Sequence, residues 1–174
     1  MKKVAFFGHS SIFYKERVKE RLISVLLELI SQGYDIFLIG CHGDFDNIAL
    51  TSCLECRNKI NKSININIVL TSLTFMNKRK DGYSFVDFYK DKNCQLLFYE
   101  IEQVYFKNKI TYSNRKMVDN CDLVVCYVDA TKYKSGAKTA VNYALRQNKR
   151  VLNLFLEEDK KVDLSSFKNY FDKQ

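Results

Sequence analysis

Three short segments of the chain combine glycine with side chains that can bind a ligand. They are Gly8-His9-Ser10, residues 40–46 (Gly-Cys-His-Gly-Asp-Phe-Asp) and residues 135–139 (Ser-Gly-Ala-Lys-Thr). Glycine lets the backbone approach a ligand closely, and the free amides of a helix N-terminus attract anions such as phosphate. Each segment by itself also fits an ordinary tight turn. Together the three segments predict one site for a phosphate-bearing ligand.

The candidate ligand-binding residues come from these segments and from one arginine. They are Gly8, His9, Ser10, Gly40, His42, Gly43, Asp44, Phe45, Arg115, Ser135, Gly136, Lys138 and Thr139. Arg115 and Lys138 would supply positive charge, and a guanidinium suits bidentate contact with phosphate. The alternative for Arg115 is a solvated position on the outer face of its helix. No catalytic residue is assigned.

The histidines and carboxylates of these segments have two interpretations each. His9 and His42 either contact the ligand or hydrogen-bond within their turns. Asp44 either holds a ribose hydroxyl or is solvated, whereas Asp46 fits the N-cap of the following helix. Glu102 is a further carboxylate near the proposed site.

The cysteine spacing gives only a partial metal motif. The six cysteines are Cys41, Cys53, Cys56, Cys94, Cys121 and Cys126. Cys53 and Cys56 have zinc-like spacing and, with Cys41 and His42, offer four donors, but no second such pair follows. We therefore expect no metal. Without a secretory signal in the sequence we expect reduced thiols and a cytoplasmic location. The sequence has no GxGxxG and no Walker pattern, which disfavours an ordinary dinucleotide enzyme and a phosphate-loop NTPase. We expect no cofactor.

Strand and helix patterns alternate along the chain and would position these segments. Short apolar runs predict strands at Val4–Phe7, Ile36–Ile39, Ile66–Leu70, Cys94–Tyr99, Leu123–Val128 and Val151–Phe155. Helical periodicity predicts a first helix that ends at Gln32 and further helices over Asn47–Lys59, Ile110–Asn120, Lys138–Gln147 and Leu164–Phe171. Residues 71–93 are aperiodic and predict a long loop with one helical turn.

This order predicts one α/β domain over residues 1–174, with a Rossmann-like, doubly wound fold. Its sheet would be mostly parallel, with helices on both faces. Ser10 or Ser11 would cap the first helix, and Gly33 would follow its end as a C′ glycine. Ligands of such folds bind beyond the carboxyl ends of the strands, which is where the three glycine segments fall.

Charge and hydropathy narrow the classes of partner. A formal net charge of +8 and an isoelectric point near 9.1 favour anionic partners. The basic residues are scattered, and their densest run is only Lys78-Arg79-Lys80, so a solvated basic surface is the alternative to nucleic-acid binding. No run of about 18 uncharged apolar residues is present, which excludes a transmembrane helix. We therefore expect no membrane partner.

Four segments, in order along the chain, carry the motifs of a known family. They are residues 4–10 (Val-Ala-Phe-Phe-Gly-His-Ser), 40–46 (Gly-Cys-His-Gly-Asp-Phe-Asp), 114–122 (Asn-Arg-Lys-Met-Val-Asp-Asn-Cys-Asp) and 135–144 (Ser-Gly-Ala-Lys-Thr-Ala-Val-Asn-Tyr-Ala). The chain thereby resembles the YpsA-like branch of the SLOG superfamily, which also contains the lonely-guy phosphoribohydrolases and the DprA domain. The resemblance implies a Rossmann-like fold, a nucleotide-type ligand at the sheet's carboxyl edge, and a homodimer or larger assembly.

Two positions depart from the enzymes of that family. The lonely-guy enzymes carry an arginine where this chain has Ser113, and their catalytic glutamate corresponds to Asn142 when the motif is aligned on Gly136. An amide cannot act as a general base or stabilise an oxocarbenium ion as a carboxylate does. We therefore expect binding of a nucleotide or nucleotide-derived molecule, in a sensing, sequestering or carrier role.

Two alternatives stay open. One is an enzyme that hydrolyses or transfers the glycosidic or phosphate group of a nucleotide with Asp44, His42 or Glu102, such as a phosphoribohydrolase-like enzyme, and the other is a nucleic-acid binder. Turnover of nucleoside monophosphates would identify the first, and salt-sensitive DNA binding the second.

Overall fold

Six β-strands and five α-helices alternate in the part of the chain that the computed structural model describes, namely residues 1–60, 64–72, 77, 84–100, 103–131 and 135–159. In chain order they are β1 (Lys2–Gly8), α1 (Lys15–Ser31), β2 (Tyr34–Ile39), α2 (Asp44–Ile60), β3 (Asn65–Leu70), α3 (Phe85–Asp91), β4 (Gln95–Phe98), α4 (Lys109–Asp119), β5 (Leu123–Tyr127), α5 (Gly136–Arg146) and β6 (Arg150–Asn153). The predicted closing helix over residues 164–171 lies outside the described residues.

The six strands form one sheet in the order β4-β3-β2-β1-β5-β6, and every neighbouring pair is parallel. The chain builds outward from β1 to β4, then returns to place β5 on the other side of β1. In the register of that central pair, Val4 lies opposite Leu123 and Gly8 lies opposite Tyr127. The strand order therefore reverses between β1 and β5, which is where ligands bind in open α/β sheets.

Alternation along β1 divides the core between the two faces of the sheet. Val4 and Phe6 face the layer that contains Leu22 and Leu26 of α1, whereas Ala5 and Phe7 face the layer that contains residues of α4 and α5. Helices α1, α2 and α3 thus cover one face, and α4 and α5 cover the other. This arrangement confirms the predicted α/β, doubly wound fold.

The first helix begins later than predicted, and its cap is different. Its N-cap is Tyr14, with no side-chain capping bond, so the expectation of a Ser10 or Ser11 cap is wrong. The physical reason is a tertiary contact: the Ser10 carbonyl accepts the Asp44 amide, which holds the loop against α2 instead of starting α1. Gly33 follows the helix at a φ of +85°, which confirms it as a C′ glycine.

Three other helices also depart from prediction by more than one residue. Helix α2 begins at Asp44, so Asp46 lies in its first turn and not at the cap. Helix α3 occupies part of the predicted loop, and a reciprocal capping box between Ser84 and Asp87 begins it. Helix α5 begins at Gly136 with Ser135 as its cap, two residues before the predicted start at Lys138.

None of the described helices is long and apolar enough to cross a membrane.

Candidate functional site

A cleft of about 320 Å³ opens at the carboxyl edge of the sheet, at the reversal point between β1 and β5. It contains eight of the predicted site residues: Gly8, His9, Ser10, Gly40, His42, Gly43, Ser135 and Gly136. The rest of its described lining is Phe6, Phe7, Ser11, Asp46, Ile110, Asn114, Met117 and Ala137. All three glycine segments of the sequence therefore meet at one cleft.

His9 joins the loop after β1 to both ends of the loop between β5 and α5. Its amide donates to the Tyr127 carbonyl at 3.2 Å, and its Nε2 accepts the Asp129 amide at 2.8 Å. Because Nε2 accepts this bond, the ring proton lies on Nδ1, which is 3.4 Å from the Ser135 hydroxyl. The ring is only 7% exposed, so His9 acts mainly as the scaffold of the cleft.

The loops after β1 and β2 lie directly against each other. The Asp44 amide donates to the Ser10 carbonyl at 3.1 Å, and a Cβ at Gly43 would stand 2.6 Å from the Ser10 Cα. The Asp44 carboxylate accepts the Ile12 amide at 3.0 Å and pairs with Lys15 at 2.9 Å. These two bonds hold the pKa of Asp44 below its usual value, the Lys15 bond being the larger cause. Asp44 thus fastens the loop and does not line the cleft.

Asp46 holds the loop between β2 and α2 from inside the first turn of α2. Its carboxyl accepts the His42 amide at 2.7 Å and also the Gly43 amide. Burial raises the pKa of Asp46 to about 6, against the opposing effect of these amide bonds. His42 extends from the same loop, where its Nε2 is 2.7 Å from the Thr71 hydroxyl and burial lowers its pKa.

The N-terminus of α5 supplies backbone donors to the opposite wall. The Ser135 hydroxyl accepts the Lys138 amide at 3.3 Å, and the Ser135 carbonyl accepts the Thr139 amide at 3.0 Å. The first amides of a helix have no intrahelical acceptor, and those of Gly136 and Ala137, which line the cleft, have none among the described residues, so they could bind a ligand. The helix dipole adds positive potential at the same point.

The glycines of the cleft differ in how much space a Cβ atom would have at each position. A Cβ at Gly8 would overlap the Phe45 ring, and one at Gly40 would stand 2.8 Å from the Asp46 carboxyl oxygen. With Gly43 against Ser10, these positions serve close packing of the protein on itself. A Cβ at Gly136 would meet nothing within 4 Å. Gly136 is therefore the position where a larger side chain would enter the cleft without displacing the protein.

Several predicted site residues lie elsewhere. Phe45 is fully buried and stacks on Tyr127, with 6.0 Å between ring centroids, so it belongs to the core. The Lys138 ammonium donates to the Ala130 carbonyl at 2.7 Å, and that bond stabilises the loop before α5. Arg115 and Thr139 line a smaller neighbouring cavity between α4 and α5.

The residues that α4 brings to the cleft were missed by sequence reasoning. Asn114 lines the cleft together with Ile110 and Met117, and these positions follow one another at helical spacing. Met117 is buried in the core, and Asn114 lies three residues before it on the same face of α4. Arg115 lies outside that face. Helical phase was therefore the signal that could have selected Asn114.

The two positions that depart from the lonely-guy enzymes are both outside the cleft lining. Ser113 is fully buried, and its hydroxyl has no hydrogen-bond partner in the described structure. Asn142 is exposed on α5. Glu102, the remaining candidate carboxylate, lies outside the described residues.

The cysteines do not form a metal centre with His42. Cys53 and Cys56 lie on the buried face of α2, and the Cys41 thiol donates to the Val69 carbonyl at 3.6 Å. Burial raises the pKa of Cys41 to about 12, so its thiol is protonated at neutral pH. In the described residues, no group of three or more His, Cys, Asp or Glu side chains could hold a metal ion. All six cysteines are free.

A second cleft, of about 420 Å³, adjoins the first and shares Ser10, His42 and Gly43 with it. Phe85, Phe88 and Tyr89 of α3 give it an aromatic wall. The sheet edge therefore offers hydrogen-bond donors in one cleft and aromatic surface in the next.

The combined lining suits a polar molecule held by hydrogen bonds. Hydroxyls, imidazoles, the Asn114 amide and helix amides surround the first cleft, and its described lining contains no lysine or arginine. No protein-family model matches the chain, and no curated protein matches it.

Proposed function

We propose that the chain binds a nucleotide or a nucleotide-derived small molecule at the carboxyl edge of its sheet. The observation that carries the proposal is the cleft at the reversal point between β1 and β5, where the free amides of Gly136 and Ala137 meet the loop of His9 and Ser10. Helix N-termini at this place in α/β sheets favour anionic groups. Membership of the YpsA-like SLOG branch is part of the proposal and agrees with this position.

A binding role, such as sensing, sequestration or delivery, suits the site better than catalysis. Asp46 is the one carboxylate in the described lining, and two loop amides already use it. Asn142 is exposed and lies outside the lining. An aromatic base would find a stacking surface on α3, in the adjoining cleft. We further propose a cytoplasmic location and a homodimer.

Native mass spectrometry of the purified chain tests the proposal most directly. We expect a retained mass that matches a nucleotide-type molecule and is lost on denaturation. Calorimetry with nucleoside 5′-monophosphates would then give the affinity. Absence of a retained ligand together with no calorimetric binding to any such nucleotide would refute the proposal.

The same preparation separates the alternatives. Release of base or phosphate from a nucleoside monophosphate would establish the hydrolase. Binding of short single-stranded DNA without binding of nucleotides, with affinity that falls steeply with salt, would establish the nucleic-acid binder.

A further inference from the structure

A small cavity between α4 and α5 contains two arginines. Its volume is about 30 Å³, and its lining includes Arg115, Arg146, Tyr143 and Thr139. This volume accommodates about two groups the size of a water molecule or a phosphate oxygen. It is too small for a base or a sugar ring. It shares Ile110, Asn114 and Gly136 with the main cleft, so the two spaces are neighbours.

Both guanidinium groups lie near one tyrosine. The Arg115 guanidinium carbon is 5.4 Å from the centroid of the Tyr143 ring, and the Tyr143 hydroxyl donates to the Asp119 carboxylate at 2.9 Å. That hydrogen bond raises the pKa of Tyr143, and Arg115 and Arg146 both oppose the rise. Arg115 and Arg146 are both exposed to solvent, and they line one small space together with Tyr143.

Neither arginine is paired in the described part of the chain. The ion pairs there belong to Lys15, Lys19, Arg21 and Lys59, and the Asp119 oxygen beside the arginines accepts from Tyr143. Two guanidinium groups that line one small space can both donate hydrogen bonds to an anion placed between them.

The charge of the helices is also unequal between the two faces of the sheet. Helices α4 and α5 carry five basic side chains and one acidic side chain, whereas α1, α2 and α3 carry seven basic and eight acidic ones. The described lining of the main cleft contains no lysine or arginine, and the Lys138 ammonium is bonded to the Ala130 carbonyl. Among the described residues, Arg115 and Arg146 line a cavity that adjoins the cleft, so the α4–α5 side can supply positive charge to a ligand there.

We propose that Arg115 and Arg146 form the anion-binding end of the site and take the terminal phosphate of the ligand between α4 and α5. This inference rests on the proposed function, and it fixes the direction of the ligand. The phosphate points past Asn114 and Gly136 toward the two arginines, and the uncharged part lies in the main cleft. Arg146 becomes a binding residue that no motif in the sequence indicated.

The experiment compares Arg115→Gln, Arg146→Gln and the double variant with Arg150→Gln as the matched control. Arg150 is an exposed arginine of β6 outside both cavities, so the control loses the same charge. Each chain is titrated by calorimetry with the four common nucleoside 5′-monophosphates and with the corresponding nucleosides. Amide NMR spectra establish that each variant is folded.

Loss of one charge-assisted hydrogen bond weakens binding roughly ten- to a hundred-fold. We expect this loss for the monophosphate with either arginine variant, with nucleoside binding and the Arg150→Gln control unchanged. Variants that bind the monophosphate as tightly as the control would overturn the inference while the proposed function stands.

A titration with inorganic phosphate covers the case in which the parent binds no nucleotide, so that the proposed function itself fails. Shifts of the Gly136 and Thr139 amide signals that appear in the parent and vanish in the double variant would still support an anion site here. Absence of such shifts would overturn it.

Discussion

The carboxyl group of Asp46 lies beside the cleft on a partly buried residue, and this burial raises its pKa to about 6. In the unfolded chain an aspartate has a pKa of about 3.9. Between pH about 4 and about 6, the folded chain therefore keeps a proton on Asp46 that the unfolded chain has already released. The stability that this difference contributes is present below pH about 4 and is lost as the pH rises through about 6.

Asp46→Asn should remove that pH dependence. A pKa difference of about two units corresponds to a loss on the order of 3 kcal/mol between pH about 4 and about 7 in the parent, relative to the variant. Urea unfolding of both chains across this range measures the difference. Asp44→Asn is the control, because Lys15 lowers the pKa of Asp44 and the carboxylate of Asp44 therefore contributes stability that is lost as the pH falls. A parent-to-variant difference that stays constant with pH would contradict the assignment.

Individual site residues were predictable where chain connectivity alone decides their place. Residues that directly follow β1 and β2, such as His9 and Gly43, must reach the carboxyl edge of a parallel sheet. The direction of a side chain was harder to predict from the sequence, because it depends on partners that only the folded chain provides. The Lys138 ammonium, predicted to meet the ligand, bonds to the Ala130 carbonyl instead.

At the scale of elements, one ion pair ties the segment after β6 to α1. The Arg21 guanidinium donates to both oxygens of Asp159, at 2.8 Å each, and to the Leu154 carbonyl at 2.6 Å. The Asp159 side chain is fully buried. Its pKa is lowered chiefly by the hydrogen bond to Arg21, so its contribution to stability is present above pH about 4 and is lost as the pH falls further.

Arg21→Ala should destabilise the chain by about 3–5 kcal/mol at pH 7, because it leaves the Asp159 carboxylate buried without its partner. Chemical denaturation measures the loss. Lys19→Ala is the comparison, since the Lys19–Glu55 pair is partly exposed and such pairs contribute about 0–1 kcal/mol. Equal losses in the two variants would mean that Asp159 is not effectively buried in solution.

The N-terminus of α5 gives a steric test of the cleft. Gly136→Leu should leave the free energy of unfolding within about 1 kcal/mol of the parent, because nothing stands within 4 Å of the new Cβ. It should abolish nucleotide binding, because the side chain occupies the cleft. Calorimetry and thermal unfolding measure both effects. Asn142→Leu places the same side chain on an exposed part of α5 as the control. Full affinity in Gly136→Leu would place the ligand elsewhere.

The elements themselves were largely predictable from the sequence, and their ends were not. Apolar runs in β1, β2, β3 and β5 and the periodicity of α1 and α4 are strong local signals. The start of α1 depends on the bond between Ser10 and Asp44, which are distant in sequence. Local patterns carry no information about such contacts. The capping box of α3, by contrast, is a local signal, because Ser84 and Asp87 are three residues apart in the sequence.

For the whole molecule, we predict that the unequal charge of the two layers of described helices gives polyanions a preferred side. Combined replacement of Arg115, Lys116 and Arg146 by Gln should lower the salt concentration at which the chain elutes from heparin. Replacement of Lys15, Arg17 and Lys19 removes the same charge from the nearly neutral layer and should lower it less. Equal shifts would show that only net charge matters.

The position of β1 at the centre of the sheet also bears on how the molecule acquires its site. Strands β1 to β4 can pair in the order in which they are made, whereas β5 must return to β1 across more than a hundred residues, as in the pair of Val4 with Leu123. Contacts of such long sequence separation form slowly, because closing the loop costs entropy before the contacts compensate for it. Until β5 docks, β1 is an open edge that can pair with other chains, and the cleft has only one wall. A ligand that contacts both walls would therefore slow the unfolding of the chain, because β5 could not separate from β1 until the ligand had dissociated.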